Sequence, residues 1–381
     1  MSLTHRVPRV PRRSGTSAAV LALLVLLGAG LSACGDGEPD TQGRTNTPSE
    51  ATRTGGPDDV AAEQVSVSDV STGLTSPWGL AQTSDGALLV SERDTGRILE
   101  VDPESGERRT LRTLPDVVPG GEAGLLGLAL TPDEDRLLAY YTRDRTSRVV
   151  AMSWDGSTLG EPEVLLEDIP GGAGYHQGGR LLVVDDLVYV GTGDNGQPAS
   201  AQDPDSLSGK VLRLTLEGDP APGNPFGTEV FTLGHRNVEG LTVDDEGRVW
   251  AAEFGQNAWD EVNLLEAGGN YGWPEVEGSG GAPDFLDPAA VFRTEDASPA
   301  GIAFWDGSLW LAALRGARLW ELPLDADGAV QQPVSHLEGE LGRLRTVAAV
   351  DAGRSLLLTT SNTDGRGEPR DGDDRLLRVS R

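Results

Sequence analysis

One cysteine in 381 residues, Cys34, excludes an internal disulfide and any thiolate metal cluster. Aromatic residues make up only 5% of the chain, so the core cannot rest on many large rings. Bases are few: 31 Lys and Arg face 60 Asp and Glu for a formal charge of −29, and Lys210 is the only lysine. A nucleic-acid binder needs a basic face, so that class is excluded. Adhesion to anionic lipid by charge alone is disfavoured for the same reason. Long helices are excluded too, because 51 Gly and 24 Pro punctuate the sequence too often. Many short strands joined by turns remain.

The N-terminus carries an apolar run. Arg6, Arg9, Arg12 and Arg13 precede the stretch Ala18 to Ala33. That stretch is shorter than the roughly 20 residues that span a bilayer, and it ends in small residues as an export signal does. It closes with Leu31-Ser32-Ala33-Cys34, which resembles the bacterial lipobox. The resemblance implies a lipoprotein signal peptide over 1–33, lipidation of Cys34, and an anchor on the outer face of the cytoplasmic membrane. Residues 34–63 are Gly, Asp, Glu, Thr and Pro with little apolar content, and are expected to form a flexible acidic linker.

The rest of the chain, 64–381, repeats one unit. Trp78-Gly79-Leu80-Ala81 leads to the turn Asp85-Gly86, then Leu88-Leu89-Val90, then Arg97-Ile98-Leu99-Glu100-Val101. The same order restarts at Gly127, Gly178, Gly240, Gly301 and Thr346. Short apolar runs separated by Asp-Gly-type turns describe a four-stranded antiparallel blade. Blades that cannot bury both faces alone stack radially. Six copies predict an all-β fold, a six-bladed β-propeller, with Gln64–Ser68 supplying the strand that closes the last blade.

A propeller is a scaffold, so function is read from its polar loops. His176 sits in Tyr175-His176-Gln177-Gly178-Gly179-Arg180, just before the inner strand of the third unit. An imidazole there can take a proton near neutral pH. His235-Arg236-Asn237 holds the same place in the fourth unit, Arg315 lies in the fifth and Arg343-Leu344-Arg345 in the sixth. Arg343 and Arg345, two apart on a strand, share a face. Four arginines on one rim of an acidic protein point to an anionic ligand, or else to ion pairs with the surplus acids. Glu253 to Asn263 and Gly268 to Pro274 place carboxylates beside Gly-rich loops with free carbonyls, the hard oxygen ligands calcium favours.

Together these motifs resemble the soluble quinoprotein sugar dehydrogenases, the aldose sugar dehydrogenase and soluble glucose dehydrogenase family that uses pyrroloquinoline quinone (PQQ). The match runs in order through Gly121-Glu122-Ala123-Gly124, His176-Gln177-Gly178-Gly179-Arg180-Leu181, Gly234-His235-Arg236-Asn237, and Asp260-Glu261-Val262-Asn263 with Gly269-Asn270-Tyr271-Gly272-Trp273-Pro274. It implies PQQ- and calcium-dependent oxidation of an aldose at C1 to the lactone, with an electron acceptor the sequence does not name. His176 matches the general base. Arg236 and Asn237 match residues at the reactive carbonyls of the quinone, and Arg315, Arg343 and Arg345 match contacts to its carboxylates. Gly255 and Gln256 match carbonyl ligands of the calcium that polarises PQQ, and Glu261 and Tyr271 match a second, structural calcium. Glu122 stands where a Gln often contacts the quinone. A carboxylate there repels an anionic cofactor unless it is protonated or turned away.

Two other classes fit a propeller. A calcium-dependent lactonase would share fold and metal but leaves the arginines unexplained. A non-catalytic extracellular module binding carbohydrate or protein leaves His176 and Arg236-Asn237 without a task.

Overall fold

The structure is a computed structural model that describes residues 64–172 and 174–381. The expected signal peptide over 1–33, Cys34 and the expected linker over 34–63 lie outside the described residues. Within them the chain forms six sheets of four antiparallel strands each. The innermost strands are Pro77–Gln82, Leu125–Leu130, Gly178–Val184, Val238–Val243, Pro299–Trp305 and Leu344–Val350, numbered here as blades 1 to 6. Each contains one of the repeat starts read from the sequence. The ring closes as expected, by an N-terminal strand that pairs with the last one, Leu376–Ser380. That strand is Ser66–Ser71 rather than Gln64–Ser68, because Val70 as well as Val67 packs into the core.

The glycine that opens most repeats has a steric cause. A Cβ on Gly79 would meet the Leu126 carbonyl at 2.5 Å, and one on Gly240 would meet the Ala300 carbonyl at 2.6 Å. Neighbouring inner strands therefore approach backbone to backbone around the central channel. In blade 3 the equivalent position is Arg180, two residues past the Gly178 that the sequence pattern marks as the start, and in blade 6 it is Thr346; the two side chains meet across the channel at 3.1 Å. Beyond them, away from the strand starts, the channel opens into a cavity of about 260 Å³ lined by aliphatic side chains together with Arg180, Thr242 and Thr346. Between blades, Trp78, Trp250, Trp310, Tyr140 and Tyr141 are fully buried among Leu and Val. A few rings thus serve where small residues could not fill the gap.

Because the strands alternate in direction, two kinds of loop open on one face: those entering the inner strands and those joining the second and third strands of each blade. This face is the channel mouth. Segment 265–289 of blade 4 starts from the opposite face and returns to the mouth, where Trp273 N–H donates to the Gly234 carbonyl at 2.9 Å.

Candidate active site

His176 lies in the loop entering blade 3, with a backbone φ of +54° that few non-glycine residues adopt. Its main-chain N–H donates to Glu122 Oε2 at 2.6 Å, and its Nδ1 pairs with Asp194 Oδ1 at 2.6 Å. Asp194 also accepts from Gly196 N–H at 2.8 Å and from Trp273 Nε1 at 2.9 Å. Burial alone would raise the pKa of Asp194, but the His176 ring and these donors hold it below the ordinary carboxylate value. An ionised Asp194 can only accept, so it fixes the His176 proton on Nδ1 and leaves Nε2 as the basic nitrogen. The His176 side chain is 15% exposed. The half-exposed Tyr175 ring stands edge-on to it, 4.8 Å away.

Asp194 was not legible in the sequence. It enters from the loop between the second and third strands of blade 3, and only folding brings it to His176. That loop is clamped by Lys210, whose buried Nζ donates to the carbonyls of Ser200, Ala201 and Ser208 at 2.7, 3.1 and 2.7 Å.

Arg236 sits beside this pair in the neighbouring blade 4: its carbonyl accepts Asp194 N–H at 2.8 Å, and its guanidinium is 5.3 Å from the centre of the Trp273 ring. Burial lowers its pKa against the pull of Asp194, Glu122, Glu277 and Asp260. Its Nε is buried without a hydrogen-bond partner. Asn237 is committed to the protein: its Oδ1 accepts Gly178 N–H at 2.8 Å, and its Nδ2 donates to Glu239 at 3.3 Å. His235 is fully buried and points away, bonded to Thr232 Oγ1 at 2.8 Å and Glu253 at 2.7 Å.

Arg343 and Arg345 share a face as their spacing predicts, and a protein carboxylate already lies on it. Asp364 is 3.0 Å from Arg343 and 3.7 Å from Arg345, and Arg345 also bonds Glu239 at 2.7 Å. Arg315 opens on the same mouth from blade 5, exposed, and among the described residues its side chain has no hydrogen bond or ion pair. The four arginines thus divide. Arg343 and Arg345 are built into an ion-pair network, while Arg236 and Arg315 keep donors to spare.

The loop after Glu253 owes its shape to Glu277, a second residue the sequence did not disclose. Glu277 Oε1 accepts the N–H groups of Gln256, Asn257, Ala258 and Trp259 at 2.7, 2.9, 2.9 and 3.1 Å. Burial opposes its charge, yet these donors hold its pKa below the ordinary value. With the N–H groups turned in, the carbonyls of Gly255 and Gln256 accept no hydrogen bond among the described residues. A Cβ at Gly255 would lie 1.7 Å from the Trp259 carbonyl, so only glycine fits. Nearby, burial and the charge of Glu253 push Glu261 up to about 8, and its Oε1 accepts Gly278 N–H at 2.7 Å. The Tyr271 ring stacks on His235 at 4.7 Å. No cluster of three or more acidic, His or Cys side chains able to hold a metal occurs among the described residues.

Residues 74–377 match the family model for glucose/sorbosone dehydrogenase. The PQQ-bound aldose sugar dehydrogenase of Streptomyces coelicolor superimposes with a TM-score of 0.80 at 49% identity, over 83% of this chain and 98% of that one. An aldose sugar dehydrogenase of Escherichia coli is 28% identical over 67% of this chain and 79% of its own. Quinoprotein glucose dehydrogenase B of Acinetobacter calcoaceticus is 32% identical over 54% of this chain, an alignment that spans 51% of the relative. With its six blades, its His176–Asp194 pair and a family match over most of its length, this chain belongs to the glucose/sorbosone dehydrogenase family.

Proposed function

We propose that the protein is a PQQ- and calcium-dependent dehydrogenase that oxidises an aldose at C1 to the lactone. The observation that carries this reading is the His176–Asp194 pair, which sets a basic nitrogen at a mouth ringed by arginines. The residues present fit the cofactor and the metal. Arg236 has a buried donor without a partner and Arg315 an uncommitted guanidinium, which suit an anionic ligand. The paired free carbonyls of Gly255 and Gln256 suit a hard cation held by main-chain oxygen. Glu261 and Tyr271 are the positions for a second calcium, with the unpartnered Asn263 Oδ1 beside Glu261 as a further oxygen.

When bound, PQQ supplies the acceptor for the hydride that leaves C1. His176 Nε2 takes the proton of the anomeric hydroxyl, and Asp194 stabilises the imidazolium that results. The Arg236 guanidinium comes from the adjacent blade 4 on the same mouth, where positive charge favours a developing oxyanion. Tyr175 offers an apolar face beside the base, suited to the C–H face of a sugar ring.

The lipobox-like segment ending at Cys34 supports a place on the outer face of the bacterial cytoplasmic membrane, with the propeller tethered by residues 35–63. Reconstituting the protein with PQQ and calcium, then following aldose-dependent dye reduction, tests the reading. Turnover that requires both additions supports it. No turnover with any aldose, or hydrolysis of a lactone on calcium alone, rejects it.

A further inference from the structure

Glu122 is the departure that sits least easily with an anionic cofactor, and the structure gives it two partners. Oε2 accepts the His176 main-chain N–H at 2.6 Å, and Oε1 accepts Arg366 Nη1 at 3.1 Å. The three residues come from separate parts of the ring: Glu122 from the loop entering blade 2, His176 from the loop entering blade 3, and Arg366 from the loop between the second and third strands of blade 6.

Each partner is held in place. His176 is in the left-handed region, where a main-chain N–H bond helps to hold an unfavourable φ. Glu122 N–H donates to the Gly174 carbonyl at 3.0 Å, which ties its loop to the one that carries His176. Arg366 is aimed by its own turn, since its N–H donates to Asp364 Oδ1 at 2.9 Å. Partial burial works against the Arg366 charge, yet Glu122, Asp364 and Glu239 raise its pKa above the ordinary guanidinium value. The side chain of Glu122 is 14% exposed and that of Arg366 52% exposed, so water only partly screens the pair.

We propose that Glu122 and Arg366 act as one neutral unit: Glu122 positions the main chain of His176, and Arg366 cancels the charge that Glu122 would otherwise present to the anionic cofactor. Where a neutral Gln would need no counter-charge, a Glu needs one, and Arg366 supplies it from across the mouth. The inference rests on the PQQ reading above.

The test is a PQQ titration in the presence of calcium, read by quenching of tryptophan fluorescence and so independent of turnover. It uses the wild type, Arg366→Gln, Glu122→Gln and the double variant. Arg366→Gln is expected to weaken PQQ about tenfold, as one uncompensated carboxylate facing an anion would. Glu122→Gln should bind PQQ at least as tightly as the wild type, and adding it to Arg366→Gln should restore affinity to within about twofold. For the positioning role, Glu122→Ala should lower kcat while Glu122→Gln, which keeps an acceptor for the His176 N–H, retains it. The proposal is overturned if Arg366→Gln binds PQQ like the wild type, if the double variant is no better than Arg366→Gln, or if Glu122→Ala keeps the parent kcat. A wild type that fails to bind PQQ overturns the cofactor reading itself, a result distinct from flat behaviour among variants of a binding protein.

Discussion

His176 would be an ordinary loop imidazole without Asp194. The carboxylate is fully buried, bonded to the ring at 2.6 Å, and its other donors leave it no role but acceptor. Asp194→Asn presents an amide donor to Nδ1, which reverses the tautomer and puts the proton on Nε2. The expected result is a fall in kcat of about 10²–10⁴-fold with little change in PQQ affinity, measured by steady-state rates and by fluorescence titration. The pair also makes a pH prediction. Asp194 titrates below its free value in the folded chain, so the stability it lends is complete above about pH 4 and is lost as the pH falls through its folded pKa. Asp194→Asn should lose stability at neutral pH and show a shallower decline in acid, checked by denaturant midpoints across pH 3 to 7. His176 was legible in the sequence because histidine is scarce and this one precedes two glycines at an inner strand. Asp194, 18 residues further on, was not, since no local pattern marks which Asp in a Gly-Asp-Asn-Gly turn will face a ring from another loop.

At the scale of the element, the loop 255–259 is held by one carboxylate oxygen that gathers four N–H groups. Removing it leaves those donors to water or to nothing. Glu277→Ala is expected to cost about 2–4 kcal/mol of stability and to weaken calcium binding about tenfold, because the loop that carries the Gly255 and Gln256 carbonyls loses its clamp. Denaturant unfolding with and without calcium checks both. An unchanged calcium dependence would show that the cation binds elsewhere. Sequence spacing pointed to this loop but not to Glu277, which returns to it from segment 265–289 after a path no repeat describes. The arginines show a similar limit. Their shared face was readable from the period of two along a strand, whereas Asp364, which occupies that face, sits in a different loop.

For the whole molecule, the repeat was legible because the channel itself imposes glycine in blades 1, 2, 4 and 5, at Gly79, Gly127, Gly240 and Gly301. Where inner strands crowd, a Cβ has no room, and the exceptions, Arg180 and Thr346, face each other across the axis. Closure was legible from the spare N-terminal strand, and its extent was set by Val70. A propeller closed in this way depends on that strand. A chain beginning at Thr72 would leave Leu376–Ser380 as an open edge. The melting temperature is expected to drop by about 5–10 °C, with concentration-dependent association in sedimentation. An unchanged, monomeric melt would mean that the last blade is stable with three strands.

The central claim is that His176 is the base for an oxidation carried out at this mouth. It is tested most directly by a single turnover: protein loaded with PQQ and calcium is mixed with aldose without oxygen, and the absorbance of the bound cofactor is followed for wild type and His176→Ala. The account expects both proteins to bind PQQ with similar affinity and the variant to be reduced about 10²–10⁴-fold more slowly. Reduction of His176→Ala at the wild-type rate would contradict it.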